Sequence, residues 1–405
     1  MSSHPPIVFL GAKRTPFGAF NGALADVNAT ELGVIASKAA LSQAGVNAED
    51  VDHVIFGNVM QTSADAIYLA RHIGLKVGAP VATPAVTVNR LCGSGFESLV
   101  QGAHRLLLGE STMILAGGTE NMSQAPHTLR GLRKGLKLGG APMGDSLQEA
   151  LFDTYVGAPM AITAENLAEL YKISRDDADD YGFRSQTAWL TAHTEGRYAQ
   201  EITPVVVKDR KGEITVTVDE HPQLSPLAPE KNRARFSREA MSKLPAIFKK
   251  DGTVTAANAS QISDGGAGVV VASLAKAEAL GVKPIAKIVS YHTSGIAPKD
   301  IFAAPIEGIK GALAKAKLSV NDIDLFEINE AFAAQVLCNI KALSVPESKL
   351  NICGGGVALG HPIGASGARV LTTLIHQLHR TGGKRGLAAL CLGGGNAVAM
   401  VVETM

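Results

Sequence analysis

The 405-residue chain carries the same order of elements twice. In each half an apolar run predicts a strand, a glycine-rich segment opens an amphipathic helix, and another apolar run ends in glycines. The helix entries are Cys-Gly-Ser-Gly at 92–95 and Gly-Ala-Ser-Gly at 364–367, and the closing strands lie at 113–118 and 387–395. The recurrence indicates an internal duplication of about 120 residues per half, too long a period for a solenoid. Chance similarity is the alternative.

Both halves alternate short apolar runs with segments of helical periodicity. The predicted strands lie at 7–10, 54–56, 85–88, 113–116, 286–289, 325–328 and 387–392, and the predicted helices at 31–44, 66–75, 96–108, 307–316, 331–341 and 364–378. This alternation predicts an α/β fold with a largely buried sheet.

A segment of different composition separates the halves. Residues 123–144 are rich in Arg, Lys and Gly, and residues 210–250 are polar and contain four prolines. Helices are predicted at 161–171 and 175–195, and Ser174 opens the second with the spacing of a capping box. The segment is therefore predicted to be an inserted loop domain and not a linker.

Charge and composition exclude some partners. Lys and Arg number 38, Asp and Glu number 37, and aromatic residues make up 5%. A chain of net charge +1, without a basic field or a stacking surface, is not expected to bind nucleic acid. Charged residues are only 19% and hydrophobic residues 46%, which predicts several buried layers and a subunit interface.

The sequence predicts no membrane span, no targeting segment and no disulfide framework. The uncharged run at 387–402 is shorter than the ~18 apolar residues that a span needs, and glycines interrupt it. The first six residues lead directly into the apolar run at 7–10, so we expect no signal or transit peptide and a cytoplasmic location, or the mitochondrial matrix in a eukaryote. The four cysteines are widely spaced, which predicts reduced thiols and no metal site.

Cys92 stands where a predicted strand ends and a predicted helix begins. Backbone N–H groups and the dipole at a helix N-terminus favour the thiolate, which is the nucleophilic form. Gly93 and Gly95 carry no side chains, so a bulky acyl group can come close. Cys92 is therefore a candidate nucleophile, and a small buried cysteine at a tight turn is the alternative.

Four further positions could share this chemistry. Cys391 follows the last apolar strand and could act as an acid or base, with a core cysteine as the alternative. The backbone N–H of Gly393 could face an oxyanion. His361 lies between glycine turns and precedes a proline, so backbone geometry can hold it as a base, with a capping or core histidine as the alternative. Asn329 follows a buried strand; it is expected to cap the next helix and could also hold a water.

Four segments, taken in order, resemble the thiolase family. They are the segment around Cys92, Asn-Glu-Ala-Phe at 329–332, Gly-His-Pro at 360–362 and Cys-Leu-Gly at 391–393. The resemblance covers essentially the whole chain and includes Gly-Gly-Thr-Glu-Asn-Met-Ser at 117–123, Thr-Ala-Glu-Asn at 163–166 and Asn-Ala-Ser at 258–260.

The resemblance implies a five-layered α/β/α/β/α fold of two similar halves. It divides the chain into an N-terminal half at 1–121, completed by 262–283, an inserted loop domain at 122–261 and a C-terminal half at 284–405. The duplication and the insert inferred above agree with this division.

The resemblance also implies the role of each candidate. Cys92 would be the acyl-accepting nucleophile, His361 would take its proton, and Cys391 would be the acid and base at the substrate's α-carbon. Asn329 would hold a water that forms one oxyanion site with His361, and the N–H groups of Cys92 and Gly393 would form the second. The implied reaction is reversible, CoA-dependent cleavage of a 3-ketoacyl-CoA to acetyl-CoA and a shortened acyl-CoA through an acyl-cysteine. CoA would be a substrate, with no metal or redox cofactor.

Several positions match family residues near CoA. Ser260, Phe248, Phe332 and Met160 would lie near the pantetheine arm. Arg233 falls in the segment that meets the nucleotide end, and a solvated surface arginine is the alternative reading of it.

A basic, glycine-rich loop at 130–137 could attract CoA phosphates or lie at a subunit contact. In the family this loop pairs dimers into tetramers, which favours the contact. The resemblance therefore implies a homo-oligomer, a tetramer built as a dimer of dimers.

Two features favour a degradative 3-ketoacyl-CoA thiolase over an acetyl-CoA acetyltransferase. Acetoacetyl-CoA-forming members commonly have His before the Met of the loop-domain segment, where this chain has Pro159-Met160, and residues 90–96 are more similar to degradative members. A ketoacyl synthase is disfavoured because those enzymes lack the second cysteine, here Cys391. A non-catalytic acyl-CoA-binding protein would be expected to lose at least one of Cys92, His361 and Cys391, and this chain has all three. The glycine-rich segments match neither the dinucleotide-binding nor the P-loop motif, so a nucleotide cofactor is not expected.

Overall fold

The computed structural model describes residues 6–136, 138–209, 212–220 and 237–405. Its strands are β1 (Ile7–Arg14), β2 (Gly18–Ala19), β3 (His53–Gly57), β4 (Ala85–Val88), β5 (Met113–Asn121), β6 (His127–Thr128), β7 (Gly144–Asp145), β8 (Phe152–Asp153), β9 (Ala158–Pro159), β10 (Val205–Asp209), β11 (Gly212–Val216), β12 (Ser263–Ser273), β13 (Ala286–Gly295), β14 (Leu325–Ile328), β15 (Arg385–Leu392) and β16 (Asn396–Thr404).

The α-helices connect these strands and cover them. They are α1 (Ala29–Ala44), α2 (Leu69–Val77), α3 (Ser94–Leu108), α4 (Ser146–Ala150), α5 (Met160–Tyr171), α6 (Arg175–Thr194), α7 (Arg238–Ser242), α8 (Leu274–Leu280), α9 (Ala304–Ala316), α10 (Ala333–Leu343), α11 (Gly356–Leu359) and α12 (Ile363–Thr381). No helix among the described residues is long and apolar enough to cross a membrane.

The strand pairing shows the duplication directly. The order is β14-β15-β16-β13-β1-β12-β5-β3-β4, and β2 pairs with β12 beside this path. In the first half β1–β12 and β12–β5 are antiparallel and β5–β3 is parallel. In the second half β13–β16 and β16–β15 are antiparallel and β15–β14 is parallel. The same succession of orientations occurs twice, and the two halves join through a short antiparallel contact between β1 and β13.

Helices lie between the two halves and on both outer faces. A central core contains the apolar faces of α3 and α12 together with one face of each half's strands. A second core packs α1 and α2 on the outer face of the first half, and a third packs α9 and α10 on the outer face of the second. The five-layered α/β/α/β/α fold is therefore confirmed.

Residue alternation along β3 and β15 explains the layers. Ile55 belongs to the central core, whereas its neighbours Val54 and Phe56 belong to the outer one. Successive side chains of a strand point to opposite faces, so a strand that is apolar throughout buries both faces. Leu390 and Leu387 divide in the same way between the central core and the outer core of the second half.

In the segment between β5 and β12, the described residues form α4 to α7 and three two-stranded sheets. The capping box expected at Ser174 is present, because the Ser174 and Asp177 side chains bond to each other's backbone N–H. The predicted boundaries at 121, 261 and 283 stay a prediction. β12, which follows this segment, pairs with both β1 and β5 and so belongs to the sheet of the first half.

Candidate active site

Cys92 lies in a tight turn between β4 and α3. Leu91, just before it, has a φ of 50°, a left-handed conformation that is costly for a residue with a side chain. Gly93 precedes the first residue of α3, so Cys92 does stand at a helix N-terminus as predicted. Burial nevertheless raises the pKa of the Cys92 thiol to about 11, although the backbone N–H groups of Cys92 and Gly393 lower it. The expectation of a thiolate is therefore wrong for the resting state, because desolvation outweighs the helix terminus.

The turn that carries Cys92 touches the turn that follows Cys391. A Cβ on Gly93 would lie 2.3 Å from Leu392 Cδ2, and a Cβ on Gly393 would lie 2.3 Å from Leu91 Cδ1. Real Cβ atoms do not approach other atoms so closely, so both positions require glycine. The two glycines allow the β4–α3 turn of the first half and the β15–β16 turn of the second half to meet, and this contact brings the two cysteines close together.

Cys391 lies near the end of β15 and is 1% exposed. Burial raises the pKa of its thiol well above the ordinary range, and a negative charge on Cys92 would raise it further. The contact between the two turns places this thiol near Cys92. A thiol held in its protonated form is suited to donate a proton to a carbanion.

His361 is held by side chains on both ring nitrogens. Its Nδ1 lies 2.5 Å from Ser366 Oγ, and the Ser366 hydroxyl donates its hydrogen to Pro362 O at 2.9 Å. Because that hydrogen is already used, the histidine Nδ1–H must donate to Ser366, which leaves Nε2 with a free electron pair. Burial and the nearby Arg369 lower the pKa of His361 to about 3. His361 is therefore a neutral imidazole, ready to accept a proton at Nε2.

Asn329 contacts the same ring. Its Nδ2 lies 3.4 Å from His361 Nε2, and its Oδ1 accepts from Arg369 Nη2 at 3.3 Å. The guanidinium, which also pairs with Glu327 at 3.0 Å, fixes which end of the amide faces the histidine. The prediction that Asn329 caps a helix is wrong: the following helix starts at Ala333 with Phe332 in the cap position. The Asn329 side chain points instead into the buried centre, where two polar partners satisfy it.

The residues expected near CoA divide into three groups. Met160 and Phe332 pack against the apolar cluster that contains Cys391, and the Ser260 N–H donates to Ala331 O of the same cluster at 2.9 Å. Phe248 is 46% exposed, as a side chain that meets a ligand from the surface would be. Arg233 lies outside the described residues.

Two residues that position this site were not predicted from the sequence. Ser366 stands in the glycine-rich helix entry, but only its place five residues after His361 on the first turn of α12 makes it a partner of the ring. Arg369 follows one turn later and is fully buried. The one available signal in the sequence was an arginine within an apolar helical segment. Such a residue is almost never buried without a charged partner, so its position indicated a buried ion pair.

All four cysteines are free thiols. Among residues 6–136, 138–209, 212–220 and 237–405, no three His, Cys, Asp or Glu side chains come together in a way that could hold a metal ion.

The doubled five-layered fold, with one cysteine contributed by each half and a neutral histidine beside an asparagine, defines a class of acyl-transferring enzymes. The sequence signature of the thiolase N-terminal domain matches residues 7–275, and that of the thiolase C-terminal domain matches residues 282–404. The chain belongs to the thiolase family and is an acyltransferase.

Relatives with two kinds of name are similar over the full length. The mitochondrial 3-ketoacyl-CoA thiolase of Bos taurus is 48% identical over 398 residues, which is 98% of each chain. The acetyl-CoA acetyltransferase of Syntrophomonas wolfei is 44% identical over 98% of this chain and 99% of its own. The crystal structure of human mitochondrial 3-ketoacyl-CoA thiolase in complex with CoA superposes with a TM-score of 0.93 at 47% identity, covering 99% of this chain and 98% of the other.

Proposed function

We propose that this thiolase cleaves 3-ketoacyl-CoA with a second molecule of CoA, giving acetyl-CoA and an acyl-CoA that is two carbons shorter. The observation that carries the proposal is the contact between the turns that hold Cys92 and Cys391, with the neutral His361 held by Ser366. One thiol can form a transferable thioester while the other supplies a proton, which is what cleavage of a carbon–carbon bond requires.

In the first step the Cys92 sulfur attacks the 3-keto carbon while His361 Nε2 takes the thiol proton. With pKa values of about 11 for Cys92 and about 3 for His361, a resting thiolate–imidazolium pair lies on the order of 10 kcal/mol above the neutral pair. The proton therefore moves as the sulfur–carbon bond forms, when the negative charge passes to the substrate oxygen. The N–H groups of Cys92 and Gly393 stabilise one such oxygen, and Asn329 with His361 stabilises the other through a bound water.

In the second step the bond between the α- and β-carbons breaks. Its electron pair goes to the α-carbon of the leaving acetyl-CoA enolate, and the Cys391 thiol protonates that carbon. The Cys92 thioester keeps the shortened acyl chain. CoA then attacks this thioester, and its thiol proton together with the one held on His361 restores Cys92 and Cys391 as thiols. Every proton and electron pair comes from a substrate or a protein group, so we propose that no metal or redox cofactor is needed and expect activity to survive dialysis against EDTA.

Both the relatives and the site support the substrate class. The relatives' names contain 3-ketoacyl-CoA and acetyl-CoA, and a similar structure is described as a complex with CoA. The half-buried Met160 and Phe332 lie beside Cys391 and offer apolar surface to a pantetheine arm. We propose the degradative role in fatty-acid β-oxidation over acetyl transfer alone, because Pro159 stands where acetoacetyl-CoA-forming members commonly have histidine.

The experiment compares CoA-dependent cleavage of acetoacetyl-CoA and of 3-ketohexadecanoyl-CoA by one preparation, before and after alkylation of thiols. We expect comparable or faster cleavage of the long chain, lost on alkylation and absent in Cys92→Ala. Cleavage confined to acetoacetyl-CoA would indicate an acetyl-CoA acetyltransferase. Cleavage of neither substrate would contradict the proposal and favour a protein that only binds acyl-CoA. The Cys353→Ser variant is the control, because that thiol is buried in a separate cluster.

We also propose that the chain forms a homotetramer, a dimer of dimers, in the cytoplasm or the mitochondrial matrix. Supporting this, Leu132 and Leu136 of the glycine-rich loop and the nearby Met143 are each about half exposed or more, although large apolar side chains are usually covered. Light scattering of the purified protein is expected to give four times the mass of 42.0 kDa, and subcellular fractionation tests the location.

A further inference from the structure

Glu120, on β5, is a fully buried carboxylate beside the candidate active site. Oε1 accepts from Asn58 Nδ2 at 2.8 Å and from Met60 N at 3.1 Å, and Oε2 accepts from Val59 N at 3.0 Å and from Gly364 N at 2.9 Å. All four partners are N–H donors. A proton on either oxygen would face one of these donors, so the four bonds favour the ionised carboxylate, although burial raises the pKa of Glu120 to about 7. Glu120 is therefore fully charged in the alkaline range where the Cys92 thiol titrates.

The four donors come from both halves of the molecule. The backbone donors Val59 and Met60 lie in the loop that follows β3, whereas Gly364 lies in the first turn of α12, three residues after His361. A single carboxylate therefore joins a loop of the first half to the helix entry that carries the base. Met60 and Cys92 also share an apolar cluster with Ile363 of the same helix turn, so the joined segments enclose the nucleophile.

The helix entry has no room to move against β5. A Cβ on Gly364 would lie 2.7 Å from Thr119 O and 2.8 Å from Glu120 Oε2, and a Cβ on Gly118 would lie 2.1 Å from Gly364 O. The backbones of β5 and α12 are thus in direct contact. A hydrogen bond that ends on Gly364 N transmits its geometry to His361 through a few rigid peptide units.

We propose, building on the function proposed above, that Glu120 is a positioning residue for the reaction, whose carboxylate clamps the 58–60 loop to the first turn of α12 and so fixes His361 relative to Cys92. The carboxylate acts on the thiol electrostatically as well, since its negative charge raises the pKa of Cys92. Two other groups interact electrostatically with Cys92 and His361. A thiolate at Cys92 raises the pKa of Cys391, and Arg369 lowers the pKa of His361. The charge of Glu120 thus adds to the burial that keeps Cys92 protonated before the substrate arrives.

The test measures the pH dependence of Cys92 alkylation by iodoacetamide, read by mass spectrometry of the Cys92 peptide, together with kcat/KM for thiolysis. In Glu120→Gln we expect the alkylation midpoint to fall by about 0.5–1 pH unit, because a like charge is removed, and kcat/KM to fall about 10- to 100-fold, because the clamp is lost. In Glu120→Asp the charge stays but the shorter side chain cannot span both segments. Its midpoint should remain near that of the unmodified protein while kcat/KM falls.

Glu330→Gln is the matched control. Glu330 is also fully buried and also accepts four hydrogen bonds, from Tyr181, Ser185, Asn351 and Val357. A purely structural effect of losing a buried carboxylate should therefore appear equally in this variant, without a shift of the Cys92 midpoint. Equal midpoints in Glu120→Gln, Glu330→Gln and the unmodified protein would overturn the proposal, as would a kcat/KM of Glu120→Gln within twofold of normal.

Asn58→Ala keeps the experiment decisive if Glu120→Gln does not fold. It removes one hydrogen-bond donor to Glu120 and leaves the carboxylate in place. Less of the negative charge is then compensated, so the midpoint of Cys92 alkylation should move to higher pH. An unchanged or lower midpoint would contradict the proposal. Alkylation does not depend on turnover, so a chain without thiolase activity would refute the proposed function and still show whether Glu120 acts on Cys92.

Discussion

Ser366 prepares His361 for proton transfer, and its replacement by alanine tests that role. The structure places Ser366 Oγ 2.5 Å from His361 Nδ1, with the hydroxyl hydrogen donated to Pro362 O. Ser366→Ala leaves the Nδ1–H buried without an acceptor. The ring can avoid this state by moving its proton to Nε2, and it can then no longer accept a proton from Cys92.

The size of the effect follows from the cost of the unpaired donor. An N–H left buried without a partner costs about 1–3 kcal/mol, and each 1.36 kcal/mol is worth about tenfold in rate. We therefore expect kcat/KM for thiolysis to fall about 5- to 150-fold in Ser366→Ala. The fold should be retained, because the side chain shrinks by one atom and its neighbours are otherwise unchanged.

Steady-state thiolysis of a 3-ketoacyl-CoA measures this loss, and Thr372→Val provides the matched control. Thr372 is fully buried on the same helix, and its hydroxyl donates to Ala368 O at 2.9 Å, so the valine variant removes a similar hydrogen bond away from the ring. A kcat/KM of Ser366→Ala within twofold of normal would refute the proposed tautomer. An equal loss in Thr372→Val would show that the helix, and not the histidine, was affected.

Two further outcomes are expected. Cys391→Ser should slow deuterium exchange into the methyl group of acetyl-CoA by about 10²–10⁴-fold and slow acylation of Cys92 much less; equal slowing, measured by mass spectrometry, would argue against a role of Cys391 at the α-carbon. The His361 ring should remain uncharged at pH 5 in NMR spectra of histidine-labelled protein, because its folded pKa is about 3, and a midpoint near 6.5 would contradict the burial argument. The unfolded chain binds a proton at His361 more readily than the folded chain does. The contribution of His361 to the free energy of unfolding is therefore fully present above pH 6.5 and is lost as the pH falls toward 3.

Much of the fold was readable from local patterns. The apolar runs at β14 and β15, the glycine turn before β16 and the amphipathic period of α3 all lie where the sequence predicts them. The predicted boundaries fail where local signals compete. Residues 66–68 form a short 3-10 helix before α2 begins at Leu69, and α10 begins at Ala333, two residues later than predicted.

The candidate site was only partly readable. Cys92, His361 and Cys391 stand at glycine-rich turns that end strands or open helices, and such turns can be recognised in a single sequence. Glu120 carries no comparable signal, because its partners depend on how β5, α12 and the 58–60 loop meet. Ser366 contacts residues close in sequence, but only the conformation of the turn at 361–366 makes it a partner of the His361 ring. Arg233 lies outside the described residues, so its expected place near CoA stays a prediction.

The sequence by itself determined the doubled α/β architecture and the strand ends that hold the reactive groups, because side-chain periodicity and glycine turns act over a few residues. Tertiary structure alone decided the protonation of those groups. Burial holds Cys92 as a thiol against the pull of its helix terminus, and it keeps His361 neutral beside Arg369. Asn329 is not the expected cap because the next helix begins only at Ala333, and a guanidinium forty residues away in the chain orients its amide. Desolvation and charge pairing depend on distances between distant segments, and only the packed layers set those distances.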